Sequence, residues 1–337
     1  KVLNGGEPHV KVVGNTKLRY VALTLLSLQQ ICLPLLSRFT RSHAKEENFF
    51  TTTTVFFTEL VKLIVCFGFL LRHFKSFQRT VDEVHDVIFV DRLETAKICL
   101  PALIYTIQNN AYYVALTHLD AATFCVLYQL KILTTALLMR LILGRRLTVQ
   151  QWVALTLLVI GAAQVELSGQ GSDESRSSDV IGLLAVAIMC ITSAIAGVYL
   201  ESVLKRSPIN IWLQNIRLCL VTLPISLMSL LYYESAEIQR DGFFHGWDTW
   251  VVLLAILSAC TGLTISLVMK HADNILKAYA QSMGIIGSAI GSWLIFGQAP
   301  SALFALGASF VIGSLYIYSA FTNRSNPLKT LLPRNCA

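Results

Sequence analysis

Apolar residues in this chain come in long unbroken blocks separated by short polar stretches, so block length, more than alternation, sets the element type. A bilayer core is about 30 Å thick, and a helix needs about 20 apolar residues to cross it. Ten blocks reach that length, near 17–38, 48–71, 96–117, 120–143, 148–168, 179–203, 210–232, 248–271, 274–297 and 299–322. They predict an all-α membrane protein of ten transmembrane helices. Polar residues inside the blocks are few enough to single out: Glu59 and Lys62 in the second, Asn109 and Asn110 in the third, Lys131 in the fourth, Asn215 and Arg217 in the seventh, Lys277 and Gln281 in the ninth.

The blocks are also related to one another. Sliding the chain by 153 positions without a gap places His118 on His271, Asp120 on Asp273, Leu141-Ile142 on Leu294-Ile295 and Gly144 on Gly297. Each copy then holds five spans. Because five is odd, the second copy enters the membrane upside down, giving two inverted five-helix repeats, a transporter architecture with its ligand near the midplane between the halves. The expected organisation is an N-terminal tail 1–16, a first repeat 17–168, a linker 169–178, a second repeat 179–322 and a C-terminal tail 323–337. The linker is rich in Gly, Ser and charge, which suits a solvated connection.

Composition agrees with the membrane reading: 14% of residues are charged and 54% hydrophobic, against roughly 25% charged in soluble domains. Mean hydropathy is +0.60. With the N-terminus in the cytosol, 18 of the 27 Lys and Arg fall in cytosolic segments and 5 on the opposite side, so basic residues predict both termini cytosolic. The net charge of +7 is largely this orientation signal. No soluble face collects it, so a nucleic-acid partner is not expected. The eight cysteines show no paired or Cys/His ligand spacing and read as small apolar residues, with no metal or cofactor implied. No zinc-protease, phosphate-loop or nucleophile-elbow string occurs, which argues against an enzyme. Polar groups gather at one depth rather than along a path, which disfavours a channel.

The four intramembrane cations carry the candidate chemistry. A Lys at mid-bilayer costs about 2.5–3.5 kcal/mol on the insertion scale, and an anionic ligand is the usual reason to retain it. Phe124, Tyr128, Lys131 and Thr135 share one face of the fourth span at i, i+4, i+7 and i+11; the shifted positions in the ninth are Lys277, Gln281, Gly284 and Ser288. Counted from Asp120 and Asp273, Lys131 lies roughly 16 Å deep from one side and Lys277 roughly 6 Å from the other. In a core of about 30 Å this leaves a vertical gap of about 8 Å, enough for two phosphates. Blander roles compete at each position. Lys131 could pair with Glu59, Lys277 could snorkel to the surface, and Glu59 with Lys62 at i, i+3 could neutralise each other. Asn109-Asn110 could bond neighbouring helices or read a nucleobase edge or ribose. Arg217 stays open between structural and functional roles. The small residues Gly284, Gly287, Ser288, Gly291 and Ser292 license close helix approach, in a gate or a static interface alike.

Several strings carry a resemblance. Gln108-Asn109-Asn110, Leu119-Asp120-Ala121-Ala122-Thr123, Tyr128-Gln129-Leu130-Lys131-Ile132, Gly197-Val198-Tyr199 with Glu201, Gln214-Asn215-Ile216, Gly242-Phe243-Phe244 and Asp273-Asn274-Ile275-Leu276-Lys277 occur in order from about 17 to 322. The chain resembles the nucleotide-sugar transporters of the CMP-sialic acid, UDP-galactose and UDP-N-acetylglucosamine group. That resemblance implies the drug/metabolite transporter fold, a Golgi or endoplasmic reticulum membrane, a luminal position for the 169–178 linker, and import of a nucleotide sugar in exchange for the nucleoside monophosphate. A homodimer is compatible with it. By the same carry-over Lys131 and Lys277 contact phosphate, Tyr128, Asn109, Asn110 and Asn215 line the nucleotide pocket, and Tyr199 with Glu201 sits near the sugar or a gate. Phe124 and Gln281 join the site from the two duplicated faces. The run Ile132-Leu133-Thr134-Thr135-Ala136-Leu137 is similar to the UDP-sugar members, with CMP-sialic acid or another anionic or drug-like solute as the alternative. Phe124-Cys125 and Leu200-Glu201-Ser202 depart from the family's usual residues, the first on the ligand face.

Overall fold

The computed structural model describes residues 16–43, 49–90, 121–142, 144, 147–168, 180–206, 209–297 and 301–322; between 95 and 119 it describes 95–98, 100, 101, 104, 108, 111, 112, 114, 115, 118 and 119. Every regular element among them is helical: α1 (Thr16–His43), α2 (Thr51–Phe74), α3 (Phe77–His85), α4 (Ala121–Tyr128), α5 (Lys131–Ile142), α6 (Val149–Ser168), α7 (Val180–Arg206), α8 (Ile211–Tyr233), α9 (Ser235–Asp241), α10 (Thr249–His271), α11 (Asn274–Phe296) and α12 (Ala302–Thr322), with a π-helical turn at Asp86–Val90. By length and composition six of these can cross a membrane, α1, α2, α7, α8, α10 and α12. The chain is therefore a multi-pass membrane protein, helical throughout its described regular elements. Half of the third expected span, including Asn109 and Asn110, lies outside the described residues, as do the 1–15 and 323–337 tails and the linker.

Helix ends follow from short polar residues that satisfy the first amide groups. Asn210 accepts from Trp212, Asp248 from Val251 at 2.8 Å and Asp273 from Leu276 at 2.8 Å. Glycine closes two of the elements: Gly297, the C-cap of α11, has φ 73°, and Gly144, just past α5, has φ 63°. These glycines are 153 positions apart and share the left-handed conformation that a side chain disfavours. Two short helices, α3 and α9, occupy stretches that the apolar pattern leaves as connections.

One expectation is corrected by the structure. The fourth block, read as a single helix over 120–143, is two helices that break at Gln129-Leu130, immediately before Lys131. At the break amides bond three residues back instead of four: Gln129 to Val126, Leu130 to Leu127 and Ile132 to Gln129. This displaces the Tyr128 carbonyl from the helical ladder. The Cys190 thiol of α7 approaches it at 3.8 Å and the Leu127 carbonyl at 3.7 Å. Cys190 thus does more than fill space.

Packing arranges the remaining helices around this break. The buried core brings Ile132 and Met139 of α5, Leu155 and Leu158 of α6, Tyr279 of α11 and Val311 of α12 into one cluster. α6 and α12 meet through glycine on both sides, since a Cβ on Gly161 would stand 2.7 Å from the Gly307 carbonyl and the reverse contact is also 2.7 Å. α1 rides on the small-residue stripe of α11, where added Cβ atoms at Gly284, Gly287 and Gly291 would reach Gln30, Ile31 and Leu35 at 2.4–2.6 Å. That stripe is a closely packed helix interface.

Candidate functional site

The broken fourth span and the start of α11 meet at one polar cavity of about 160 Å³. Its wall includes Tyr128, Lys131, Ser193, Asn274, Lys277 and Gln281. Four residues singled out from the sequence, Tyr128, Lys131, Lys277 and Gln281, are therefore brought together. Both lysines stand at helix beginnings: Lys131 is the first residue of α5, and Lys277 lies in the first turn of α11. A helix N-terminus carries about half a positive charge from its aligned peptide dipoles, so each ammonium adds to a field already positive. The two ammonium groups are close enough to repel each other. What holds them there is covalent placement on packed helices, and the cavity consequently favours an anion.

Each lysine is kept in place differently. The Lys131 ammonium lies 3.9 Å from the centroid of the Tyr128 ring, a cation–π contact. Tyr128 is itself fixed at both ends. Its ring stacks on Phe124 at 5.6 Å and 16°, Phe124 meets the edge of Tyr112 at 5.4 Å, and the Tyr128 hydroxyl accepts from Gln108 Nε2 at 2.9 Å. Phe124 accordingly sits behind Tyr128, buried at 7% exposure, and does not line the cavity. Among the described residues Lys277 belongs to no ion pair. Glu201 acts on it electrostatically and is itself bound to Lys205 at 2.5 Å.

Glu201 supports the site from behind. It is buried on α7, and its second oxygen accepts the Asn274 amide at 2.9 Å, so a carboxylate satisfies one of the open donors of α11. Gly197, one turn earlier on α7, makes room for the Asn274 side chain: a Cβ there would lie 2.4 Å from Nδ2. The motif Gly197-Val198-Tyr199 with Glu201 is thus where α7 grips the beginning of α11. Tyr199 is half-buried on the same helix and lines no part of the cavity.

Asn215 is placed elsewhere. Its Nδ2 donates to the Ile211 carbonyl at 2.9 Å, and its Oδ1 accepts from Ser266 at 2.8 Å, tying α8 to α10. Glu59 and Lys62 pair with each other at 2.5 Å, and Thr222 donates to the free oxygen of Glu59, so this carboxylate is committed within α2 and α8. Arg217, fully buried, donates through Nε and Nη2 to the Val87 carbonyl and anchors the π-helical turn. Three polar wall residues were not singled out from the sequence as ligands: Ser193, Asn274 and Thr135. Asn274 sits inside a motif already noted; Ser193 gives no signal beyond being a hydroxyl in an apolar block.

Comparison with known proteins supplies the family. The nucleotide-sugar transporter family model matches residues 14–319. The chain is 39% identical over 317 residues to the UDP-galactose translocator of Bos taurus, covering 93% of this chain and 80% of that one. It is 39% identical over 315 residues to the UDP-N-acetylglucosamine transporter of Rattus norvegicus, covering 90% and 96%, and 38% identical over 300 residues to the UDP-galactose/UDP-N-acetylglucosamine transporter srf-3 of Caenorhabditis elegans, covering 88% and 81%. A crystal structure at 16% identity superposes with a TM-score of 0.65 over 90% of this chain and 98% of its own, a likeness of fold. A cation pair in a cavity of a multi-pass helical protein, together with matches along nearly the whole chain, establishes that it belongs to the nucleotide-sugar transporter family.

Proposed function

We propose that this chain carries a UDP-sugar, UDP-galactose or UDP-N-acetylglucosamine, into the lumen of the Golgi in exchange for UMP. The observation that carries the reading is the convergence of Lys131 and Lys277, each at a helix beginning, on one cavity. The names of the relatives supply the sugar and the base. Pockets that bury a drug-sized ligand run to about 300–1,000 Å³. A volume of about 160 Å³ suits the phosphates, with base and sugar extending past this cluster. Ten spans in two inverted halves, both termini cytosolic, would let the halves rock about this fixed anion site and expose it to each side in turn.

Binding and movement are linked by charge. Phosphate oxygens would take charge-assisted hydrogen bonds from both ammonium groups, in the positive field of the two helix beginnings. Ser193, Gln281 and Asn274 offer neutral partners around them. The test is uptake into proteoliposomes holding UMP, CMP or GMP, with UDP-galactose, UDP-N-acetylglucosamine or CMP-sialic acid outside. UMP alone should accelerate entry of the two UDP-sugars. Equal acceleration by all three monophosphates, or by none, overturns the proposal.

A further inference from the structure

A second cavity, of about 280 Å³, lies against a different face of α11. It is bounded by α1 on one side and α12 on the other; both pack on α11, and the cavity holds them apart. Most of the wall is apolar or aromatic, formed among others by Leu23, Leu276, Ala280, Met283 and Leu315, with the hydroxyl residues Thr24, Ser27 and Ser319 set among them. One end is different. There Arg19 enters from the first turn of α1, with its Nε buried and without a hydrogen-bond partner among the described residues. Tyr20, 62% exposed, flanks it, and the exposed Lys17 adds a second cation in the same turn.

A cation at a membrane-span end, opening into an apolar slot between two helices, is the complement of one kind of molecule. A soluble anion would satisfy Arg19 and leave the slot unfilled; a neutral apolar solute would fill the slot and leave Arg19 unmatched. A phospholipid with a net negative headgroup does both, because its phosphate meets the guanidinium bidentately and an acyl chain follows the wall. The surrounding bilayer supplies it at high local concentration, and basic residues at the cytosolic face select anionic headgroups there.

We propose that this cavity is a binding site for an anionic phospholipid, its headgroup on Arg19 and one acyl chain between α1 and α12 along α11. The site stands apart from the lysine pair and does not rest on the proposed substrate. Leu276 in its wall is nevertheless adjacent to Lys277 in the other, so the lipid would bear on the helix that carries the anion site.

Thermal unfolding of the full chain in detergent tests it, with phosphatidylserine, phosphatidylcholine or inorganic phosphate added, since a ligand that binds the folded form raises the midpoint. Phosphatidylserine should act at a concentration about fivefold below phosphatidylcholine, the preference of one surface Arg for an anionic lipid. Arg19→Gln should remove most of that preference, Met283→Trp should abolish the response to both lipids by filling the slot, and any stabilisation by phosphate alone, which the lysine cavity can take, should be the same in Arg19→Gln as in the unmodified chain. Retention of the UMP-induced shift in both variants shows that they fold and that the two cavities are distinct. Should Met283→Trp lose the UMP response, Arg19→Gln decides alone. Equal potency of the two lipids on the unmodified chain, an undiminished preference in Arg19→Gln, or a stabilisation by phosphate alone that Arg19→Gln removes overturns the proposal.

Discussion

Lys131 and Lys277 are unequal despite lining one cavity. Lys131 rests on an aromatic face at 3.9 Å, which stabilises its charge by about 0.5–2 kcal/mol whether or not a ligand is present. Lys277 has no such support. Charge-assisted hydrogen bonds contribute about 1.5–3 kcal/mol, so Lys131→Ala and Lys277→Ala are each expected to weaken UMP binding by about tenfold or more, read as the shift in a thermal titration. Tyr128→Leu should cost less, about threefold to tenfold, because the cation remains and loses only its platform. Gly197→Ala should impair transport while the protein still folds, since the new methyl displaces the Asn274 side chain from 2.4 Å; UDP-sugar uptake per folded molecule measures it. These residues differ in how far the sequence disclosed them. A lysine in an apolar block announces itself by its cost, and Tyr128, Lys131 and Thr135 share a face by simple spacing. Asn215 looked equally promising by residue type, yet its amide spans α8 and α10. Nothing in spacing tells an amide that faces a cavity from one that joins two helices, and Ser193 was hidden for the same reason.

At the level of elements, the decisive feature is the break between α4 and α5, because it turns Lys131 from a mid-helix residue into the start of a helix. No Pro or Gly lies between Phe124 and Leu138, so local propensity predicts continuity. The contact found at the break is tertiary, the Cys190 sulfur opposite the Leu127 and Tyr128 carbonyls. Cys190→Ala is expected to let the ladder close toward a continuous helix, raising KM for the UDP-sugar several-fold with a smaller effect on kcat, while Cys190→Ser, which keeps a donor, should retain most of the affinity. A purely packing role would make both variants behave alike. The glycine stripe of α11 makes the contrasting case: its pattern was plain in the sequence, and its use became plain only once α1 was seen to lie on it. Gly287→Val drives a branched side chain into Ile31, where even a Cβ would stand at 2.4 Å. Overpacking of that kind costs about 1–3 kcal/mol, so a lower unfolding midpoint is expected without any change in which nucleotide stabilises the protein.

For the molecule as a whole, the arrangement bears on why a carrier would exchange rather than leak. Moving from one open side to the other requires an occluded state in which the cavity loses its water. With the site empty, two mutually repelling ammonium groups would have to be desolvated together, and each buried Lys costs about 2.5–3.5 kcal/mol even on the mild insertion scale. A bound phosphate group removes most of that cost, because opposite charges and hydrogen bonds then satisfy both cations. A barrier higher by about 1.4 kcal/mol slows a step tenfold, so the empty carrier should return at least about tenfold more slowly than the loaded one. Uptake of labelled UDP-sugar into vesicles preloaded with UMP, divided by uptake into empty vesicles, measures this ratio directly. The unmodified protein should show a ratio of about ten or more. Lys131→Ala leaves a single cation to desolvate, so its uptake should be lower throughout and the ratio should fall below that of the unmodified protein. A variant that loses rate but keeps the ratio would show that exchange is enforced by something other than this pair of charges.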